Sequence, residues 1–357
     1  MGSHVRYVSI ADTDSSRTVL VTGGTGFMGS AVAAAYALRG RHVRVIDNHI
    51  DSTMEGTDFE RVDINDRDAV AHACRDVEAV VHCASLVQTR NNAREAVWAT
   101  NFDGTKNVIA ACRAHDVARL VYVSSASVVY DGQDIEDGDE NLPYATSTDS
   151  VYVASKIAAE KAVLAFANEG ATRACALRPH LVFGPGDNRL IPNFLARRGR
   201  MREIGNRTFL SDFLYIDNFV DAVQAVDSRM AEDASISGEA FFITNGEPIA
   251  FFEFVERVLA ATDHPKIVGR VPAAVARLVA SSVELYYQLI SREIIAEDGM
   301  SRFAIRYLTT HHYFSNQKAQ RLLHWRPRIP LEVGIERTGD HFQKSLGAAQ
   351  KPFAELN

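Results

Sequence analysis

Tyr152 and Lys156 lie four residues apart in a stretch rich in alanine and free of glycine and proline. On a helix this spacing puts both side chains on one face. A phenol titrates near ~10, and an ammonium ion beside it stabilises the phenolate, which makes such a tyrosine usable as an acid or base near neutrality. Ser125 ends the apolar run Arg119-Leu120-Val121-Tyr122-Val123-Ser124-Ser125. A hydroxyl at the carboxyl end of a parallel strand lies where open α/β sheets place their ligands. It would orient a carbonyl or alcohol oxygen beside Tyr152. A tyrosine and a lysine at this spacing are common on ordinary helix surfaces, so the pair gains meaning only from what precedes it.

What precedes it is a glycine turn, Thr22-Gly23-Gly24-Thr25-Gly26-Phe27-Met28-Gly29. An apolar segment, 18–21, leads in, and an alanine-rich segment, 30–38, leads out. Strand, tight turn, helix is the setting in which such a pattern binds a dinucleotide. Gly23 allows the sharp exit from the strand, Gly26 a close approach to a pyrophosphate, and Gly29 helix–sheet packing. The helix N-terminus supplies amide donors and the positive end of a dipole. The next strand, 42–47, ends in Asp47, 18 residues past Gly29. A carboxylate there accepts hydrogen bonds from adenosine ribose hydroxyls and repels a 2'-phosphate. No Arg or Lys follows in Asn48-His49-Ile50, so NAD is favoured over NADP.

Elements must hold these groups together. Strands are expected at 59–62, 78–85, 119–125 and 172–179. Helices are expected at 67–74, 93–115 with an interruption near 101–105, and 151–167. The fourth strand runs into the small residues Cys83, Ala84 and Ser85, which let a cofactor pass closely, and residues 131–149 read as an acidic surface loop. This alternation predicts an α/β protein with a Rossmann-type doubly wound parallel sheet. The alternation weakens beyond Asp187. Helices near 195–202, 218–226 and 251–261, with short strands at 213–216 and 241–244, suggest a smaller, mainly helical substrate domain. The expected division is a polar lead-in over 1–17, a nucleotide-binding domain over 18–187 and a substrate domain over 188–345.

Bulk properties narrow the classes. The chain has 357 residues, 46% of them hydrophobic and 23% charged, with a net charge of −7, which argues against nucleic acid. The four cysteines, Cys74, Cys83, Cys112 and Cys175, follow no metal pattern, and free thiols suit a reducing, cytoplasmic compartment. No metal site is expected. Segment 271–290 carries only Arg277 and Glu284 as charges. Three readings compete for it: a buried or oligomer-facing helix, an apolar lid over a lipid-like substrate, or a helix lying on a membrane surface.

Taken together, the glycine turn, the Ser124-Ser125 strand end, Tyr152-x-x-x-Lys156 and Arg178-Pro179-x-x-Val182-Phe183-Gly184-Pro185-Gly186 resemble the extended short-chain dehydrogenase/reductases over about 18–338. Within that superfamily the chain is most similar to the 3β-hydroxysteroid dehydrogenase and sterol 4α-carboxylate 3-dehydrogenase group. The C-terminal runs Arg306-Tyr307-Leu308-Thr309-Thr310 and Trp325-Arg326-Pro327 carry much of that likeness. The resemblance implies hydride transfer between NAD and a secondary alcohol or ketone of a small hydrophobic substrate, a steroid or an alkyl-chain lipid. Tyr152 would be the general acid/base, Lys156 the clamp on the nicotinamide ribose and Ser125 the partner of the substrate oxygen. Phe27 and Met28 belong to the phosphate turn; Asp63 and Ile64 would lie by the adenine, and Ala84 and Ser85 along the cofactor. Pro179 and Val182 would line the nicotinamide, and Asn101 would support the surrounding backbone. A homodimer is a family-level expectation. The chain departs from the pattern at Ser85, where alanine is common, at Tyr130-Asp131 in place of Tyr-Gly, and at His180, which reads as a polar residue in a partly buried loop.

Rival readings use the same residues. A reductase of β-keto acids with long alkyl chains would also explain the apolar segment. A nucleotide-sugar epimerase or dehydratase would draw on Arg189, Arg197, Arg198, Arg200 and Arg207. A non-catalytic NAD-sensing module is a further class, opposed by the joint presence of Ser125, Tyr152 and Lys156.

Overall fold

The computed structural model describes residues 18–49, 56–88, 91, 93–146, 150–206, 208–290 and 301–349. The lead-in 1–17, Ile50 and Arg207 lie outside the described residues. Seven strands form one parallel sheet: β1 Thr18–Thr22, β2 His42–Asp47, β3 Thr57–Arg61, β4 Val77–His82, β5 Arg119–Val123, β6 Arg173–Pro179 and β7 Ala240–Ile243. Their spatial order is β7-β6-β5-β4-β1-β2-β3. The direction of winding reverses between β1 and β4. A crevice opens at such a reversal, outside the strands' carboxyl ends.

The central strands are apolar throughout because both faces are covered. Along β1, Val19 and Val21 face a core shared with the helices Phe27–Leu38 and Ile216–Glu232. Leu20, between them, faces the opposite core, built with the helices Arg67–Ala73, Gly104–Ala114 and Val151–Ala167. One buried ionic net crosses the first core. Arg119 on β5 donates to Glu78 on β4 at 3.0 Å and to Asp227 at 2.6 Å, and the Tyr36 hydroxyl donates to Asp227 at 2.9 Å. β7 pairs in parallel with β6, so the sheet takes strands from both sides of Asp187.

Four local features differ from the sequence expectation. The interruption near 101–105 is a π-turn, Ala99–Asp103, that keeps the chain helical between Arg94–Trp98 and Gly104–Ala114. The loop 131–149 contains a strand, Ile135–Gly138, paired with His312–Phe314 in a second, four-stranded sheet. The arginine-rich helix starts earlier, as Leu190–Ala196, because Asp187 accepts the amides of Arg189, Leu190 and Ile191 and so fixes its first turn.

The fourth is segment 271–290, which is the helix Ala273–Ile290. Its buried positions are Ala276, Ala280 and Glu284, and Glu284 holds the Arg302 guanidinium at 2.6 Å. The large apolar side chains point outward: Leu278 is 70% exposed and Leu289 76%. This is therefore not a buried core helix. Among the described residues no helix is long and apolar enough to cross a membrane.

Candidate active site

Two glycines of the turn, Gly23 and Gly29, are packed too closely for any side chain. Gly23 has φ +64°, and a Cβ there would lie 2.6 Å from the Ala84 Cα. A Cβ on Gly29 would overlap the Gly23 carbonyl oxygen. The helix Phe27–Leu38 therefore starts directly against the ends of β1 and β4, with its N-terminal amides at the crevice. Asp47, buried at the end of β2, accepts the amides of Thr25 at 3.1 Å and His49 at 3.2 Å. Its carboxylate thus stands beside the turn.

A directional chain of hydrogen bonds braces the neighbouring strand ends. The Thr22 hydroxyl accepts from the Ala84 amide at 3.2 Å and donates to His82 Nδ1 at 2.7 Å, a direction set by the Thr105 end of the chain. His82 Nε2 then donates to the Thr105 hydroxyl at 3.0 Å, which donates to the Asn101 carbonyl at 2.6 Å. Burial, aided by the Lys156 charge, lowers the His82 pKa to about 3, so the ring stays neutral as this chain requires. Asn101 sits in the π-turn. Its Oδ1 accepts from the Leu86 amide (2.7 Å) and the Ser85 hydroxyl (3.1 Å), and its Nδ2 donates to Leu86 O and Ser155 Oγ, both at 3.0 Å. It thereby ties the loop after β4 to the helix Val151–Ala167.

That helix carries Tyr152 and Lys156. It is pinned to β6 by a buried ion pair: Arg178 donates to Glu160 at 2.6 Å, and the Tyr144 hydroxyl donates to the same carboxylate at 2.8 Å. The Lys156 ammonium donates to the Val123 carbonyl at 2.6 Å and lies 4.4 Å from the Tyr122 ring centroid. Burial lowers its pKa to about 7. Burial raises that of Tyr152, opposed by hydrogen bonding from Ser125 and by the Arg189 charge. The groups that hold the phenol down are therefore Ser125 and Arg189, while the lysine is turned to Val123.

These residues share one cavity of about 1800 Å3. Clefts for single small ligands run to about 300–1,000 Å3, so there is room for a dinucleotide and a second molecule. Gly23, Gly26, Phe27, Met28 and Gly29 line one end with Asp47, Asp63 and Ile64. Ala84, Ser85, Ser125, Tyr152, Lys156, Pro179 and Val182 line the middle. Asn101 stands behind the wall and acts on it through its hydrogen bonds. Beyond Tyr152 the wall is apolar, with Phe194, Phe252, Val275 and Val279 among its residues, and carries Arg189, Arg197 and Arg200. Arg198 instead donates to Leu195 O. Among the described residues no cluster of His, Cys, Asp or Glu could hold a metal ion.

Sequence reasoning missed three parts of this site. His82 is one; its only signal was a histidine at the end of an apolar strand. Glu160 is the second. The third is His180, which lies fully inside rather than in a half-buried loop. Its Nδ1 is 2.7 Å from the Asp212 carbonyl, which can only accept, so Nδ1 carries the proton and Nε2 accepts from the Tyr307 hydroxyl. Burial lowers its pKa to about 4.

Residues 20–269 match the model of the 3-beta hydroxysteroid dehydrogenase/isomerase family. The chain belongs to that family. It is 35% identical over 341 residues to the mouse (Mus musculus) sterol-4-alpha-carboxylate 3-dehydrogenase, decarboxylating, covering 93% of this chain and 92% of the relative. It is 34% identical over 332 residues to a 2-alkyl-3-oxoalkanoate reductase of Stenotrophomonas maltophilia, covering 89% and 97%. Among solved structures, the UDP-glucose 4-epimerase of Thermus thermophilus, a complex with NAD, superposes with a TM-score of 0.69 at 23% identity, over 91% of this chain and 99% of that one. That last likeness is one of fold. Family membership makes this chain an oxidoreductase of the extended short-chain type, a dehydrogenase/reductase acting on CH–OH groups.

Proposed function

We propose that this family member is an NAD-dependent dehydrogenase/reductase of a secondary alcohol or ketone on a largely apolar substrate. The observation that carries the reading is the convergence of Ser125, Tyr152 and Lys156 on the wall of one cavity that begins at the glycine turn. The cradle fits a dinucleotide: Gly23 and Gly29 leave no room for side chains, and Asp47 stands where ribose hydroxyls need an acceptor. Gly26, Phe27 and Met28 would hold the pyrophosphate, Asp63 and Ile64 the adenine, and Ala84, Ser85, Pro179 and Val182 the path to the nicotinamide. NAD supplies or accepts the hydride when bound.

The chain's own residues handle the proton and the geometry. Ser125 holds the substrate oxygen, and Tyr152 Oη gives that oxygen a proton in reduction or takes one in oxidation. Burial favours the protonated phenol, which suits reduction at neutral pH and makes oxidation speed up as pH rises. Lys156, anchored on Val123 O, fixes the ribose. Asn101 holds the loop after β4 in place.

The relatives' names describe two substrates with one common feature: the reacting carbon neighbours a carbon that bears a carboxylate. A sterol carboxylate or a 2-alkyl-3-oxo acid is therefore the substrate class proposed for this chain. The epimerase reading keeps one supporting observation, the arginines Arg189, Arg197 and Arg200 in the wall.

The outward face of the helix Ala273–Ile290, with Leu278, Leu285 and Leu289 exposed, is proposed to rest on a lipid surface from which an apolar substrate enters; the compartment proposed is cytoplasmic. A homodimer burying the same face is the alternative, told apart by liposome flotation against light scattering.

The test is an NADH fluorescence titration followed by a turnover screen on sterol carboxylates, alkyl hydroxy acids, neutral alcohols and UDP-sugars. Tyr152→Phe should keep NADH binding within about threefold and lose turnover by at least about 100-fold. Turnover of the variant at the parent rate would refute the assignment, and NADH binding without turnover of any alcohol would favour a sensing module.

A further inference from the structure

The substrate end of the cavity has a charge pattern that differs from the rest of the protein. The chain as a whole carries −7. Beyond Tyr152, however, the wall holds Arg189, Arg197, Arg200 and Arg202. The acids in the lining are Asp47 and Asp63, both at the glycine-turn end, and Asp187. Asp187 is engaged with the backbone: Oδ1 accepts the amides of Arg189 and Leu190 at 2.7 and 3.0 Å, and Oδ2 accepts that of Ile191 at 3.0 Å. The substrate end of the lining is therefore basic in an acidic protein.

Arg189 is the arginine of this set that is tied, through Asp187 and Val87, to the loops around the reacting end, and its charge favours the phenolate of Tyr152. Its place is set by the scaffold that places Tyr152. The Arg189 amide is fixed by Asp187, and Nη2 donates to the Val87 carbonyl at 2.8 Å. Val87 follows Leu86, which Asn101 holds on both its amide and its carbonyl, and Asn101 also bonds Ser155 on the Tyr152 helix. A guanidinium has five donors in a rigid fork, and the Val87 carbonyl takes one of them. The side chain is exposed at the rim, and the wall beyond it is built of Phe194, Phe252, Val275 and Val279.

We infer that Arg189 is a specificity-determining residue: it reads a carboxylate carried on the carbon next to the reacting carbon, while the apolar wall takes the remainder of the molecule. This rests on the dehydrogenase/reductase reading above and deepens it. A planar fork suits a planar carboxylate bidentately, which a lysine at the same place would not reproduce. The carboxylate and the reacting oxygen, one carbon apart on the substrate, are then fixed by two groups on one braced scaffold, which orients the carbon that exchanges hydride.

The experiment compares a 2-alkyl-3-hydroxyalkanoate with its methyl ester, in wild type, Arg189→Gln and Arg189→Lys, with NAD saturating. Losing one charge-assisted contact corresponds to about 10- to 100-fold. The acid-to-ester ratio of kcat/KM should fall by that factor in Arg189→Gln, mainly through KM, and recover in part in Arg189→Lys. An unchanged ratio, whether both substrates slow together or neither does, overturns the inference. A second measurement does not need turnover: the hydroxy acid, added to the protein saturated with NADH, should raise the unfolding temperature of wild type more than that of Arg189→Gln, and an equal rise overturns the inference. Wild type that turns over neither acid nor ester while still showing that difference in acid binding would count against the reaction and leave Arg189 standing as the reader. If UDP-glucose, tested alongside, protects wild type and the acid does not, the arginines serve a diphosphate and the inference fails.

Discussion

Lys156 is an ammonium ion that the native fold disfavours. Its pKa falls from 10.5 to about 7 on burial, partly offset by the charge of Glu160 one turn away. A lysine with a native pKa below its unfolded value weakens the fold fully at pH below 7 and progressively less as pH rises toward 10.5. Between pH 7 and 9 the unfolded chain keeps this proton and the native chain does not. Stability therefore rises by about 1.4 kcal/mol per pH unit, or about 3 kcal/mol across that window.

Lys156→Met removes the titration, keeps most of the volume and leaves Val123 O without its 2.6 Å donor. Removing the buried ammonium also removes its desolvation cost, which is largest below pH 7. The lost hydrogen bond subtracts about 1.5–3 kcal/mol. Relative to wild type, the variant without NAD is expected to lose about 2–3 kcal/mol more at pH 9 than at pH 7. The assay is urea unfolding followed by tryptophan fluorescence, run on both proteins at both pH values, with the difference between them as the readout so that other titrating groups cancel. Parallel pH dependences would refute the reasoning. The same variant should bind NADH at least about tenfold more weakly. A residue that costs stability and is needed for binding belongs to function rather than to folding.

Three further outcomes follow from the same structure. Glu160→Gln leaves the buried Arg178 guanidinium without its counter-charge and should destabilise the protein by about 3–5 kcal/mol in urea unfolding. Asp47→Ser removes the acceptor beside the glycine turn; the NADH-over-NADPH preference in fluorescence titration should fall at least about tenfold, and an unchanged preference would exclude Asp47 from cofactor choice. Asp212, raised by burial from 3.8 to about 7, keeps a proton in the native state that it loses on unfolding, so its own contribution to stability falls as pH rises from 4 to 7, against the rise contributed by the neutral rings of His82 and His180. Asp212→Asn should remove that contribution: the difference between variant and wild type in thermal unfolding should be near zero at pH 4 and favour the variant at pH 8.

Much of the nucleotide half was legible in the sequence because its signals are local. Apolar runs such as Thr18–Thr22, a glycine turn and an alanine-rich helix follow one another within a few residues. The braces were not legible, because each depends on a pairing that only the fold creates: Thr22 with His82, Tyr144 with Glu160, His180 with Tyr307. The π-turn at Ala99–Asp103 looked like a break because Asn101, Asp103 and Gly104 are poor helix formers; the hydrogen bonds of Asn101 hold it helical. Segment 271–290 shows the limit of composition. Its apolar count was visible, but not that small Ala276 and Ala280 would turn inward and Leu278 and Leu289 outward.

The last strand of the main sheet has a consequence for how the chain is made. β6 is complete once Pro179 has left the ribosome, yet its neighbour β7 spans Ala240–Ile243. The helix that supplies Asp227 to Arg119 also emerges in that interval. For some sixty residues of synthesis the nascent sheet therefore ends in an open apolar edge beside an arginine that has Glu78 but not yet Asp227, the kind of surface that recruits a neighbouring strand. A chain stopped at Asp187 would retain the glycine turn, Tyr152 and Lys156, and would aggregate rather than bind.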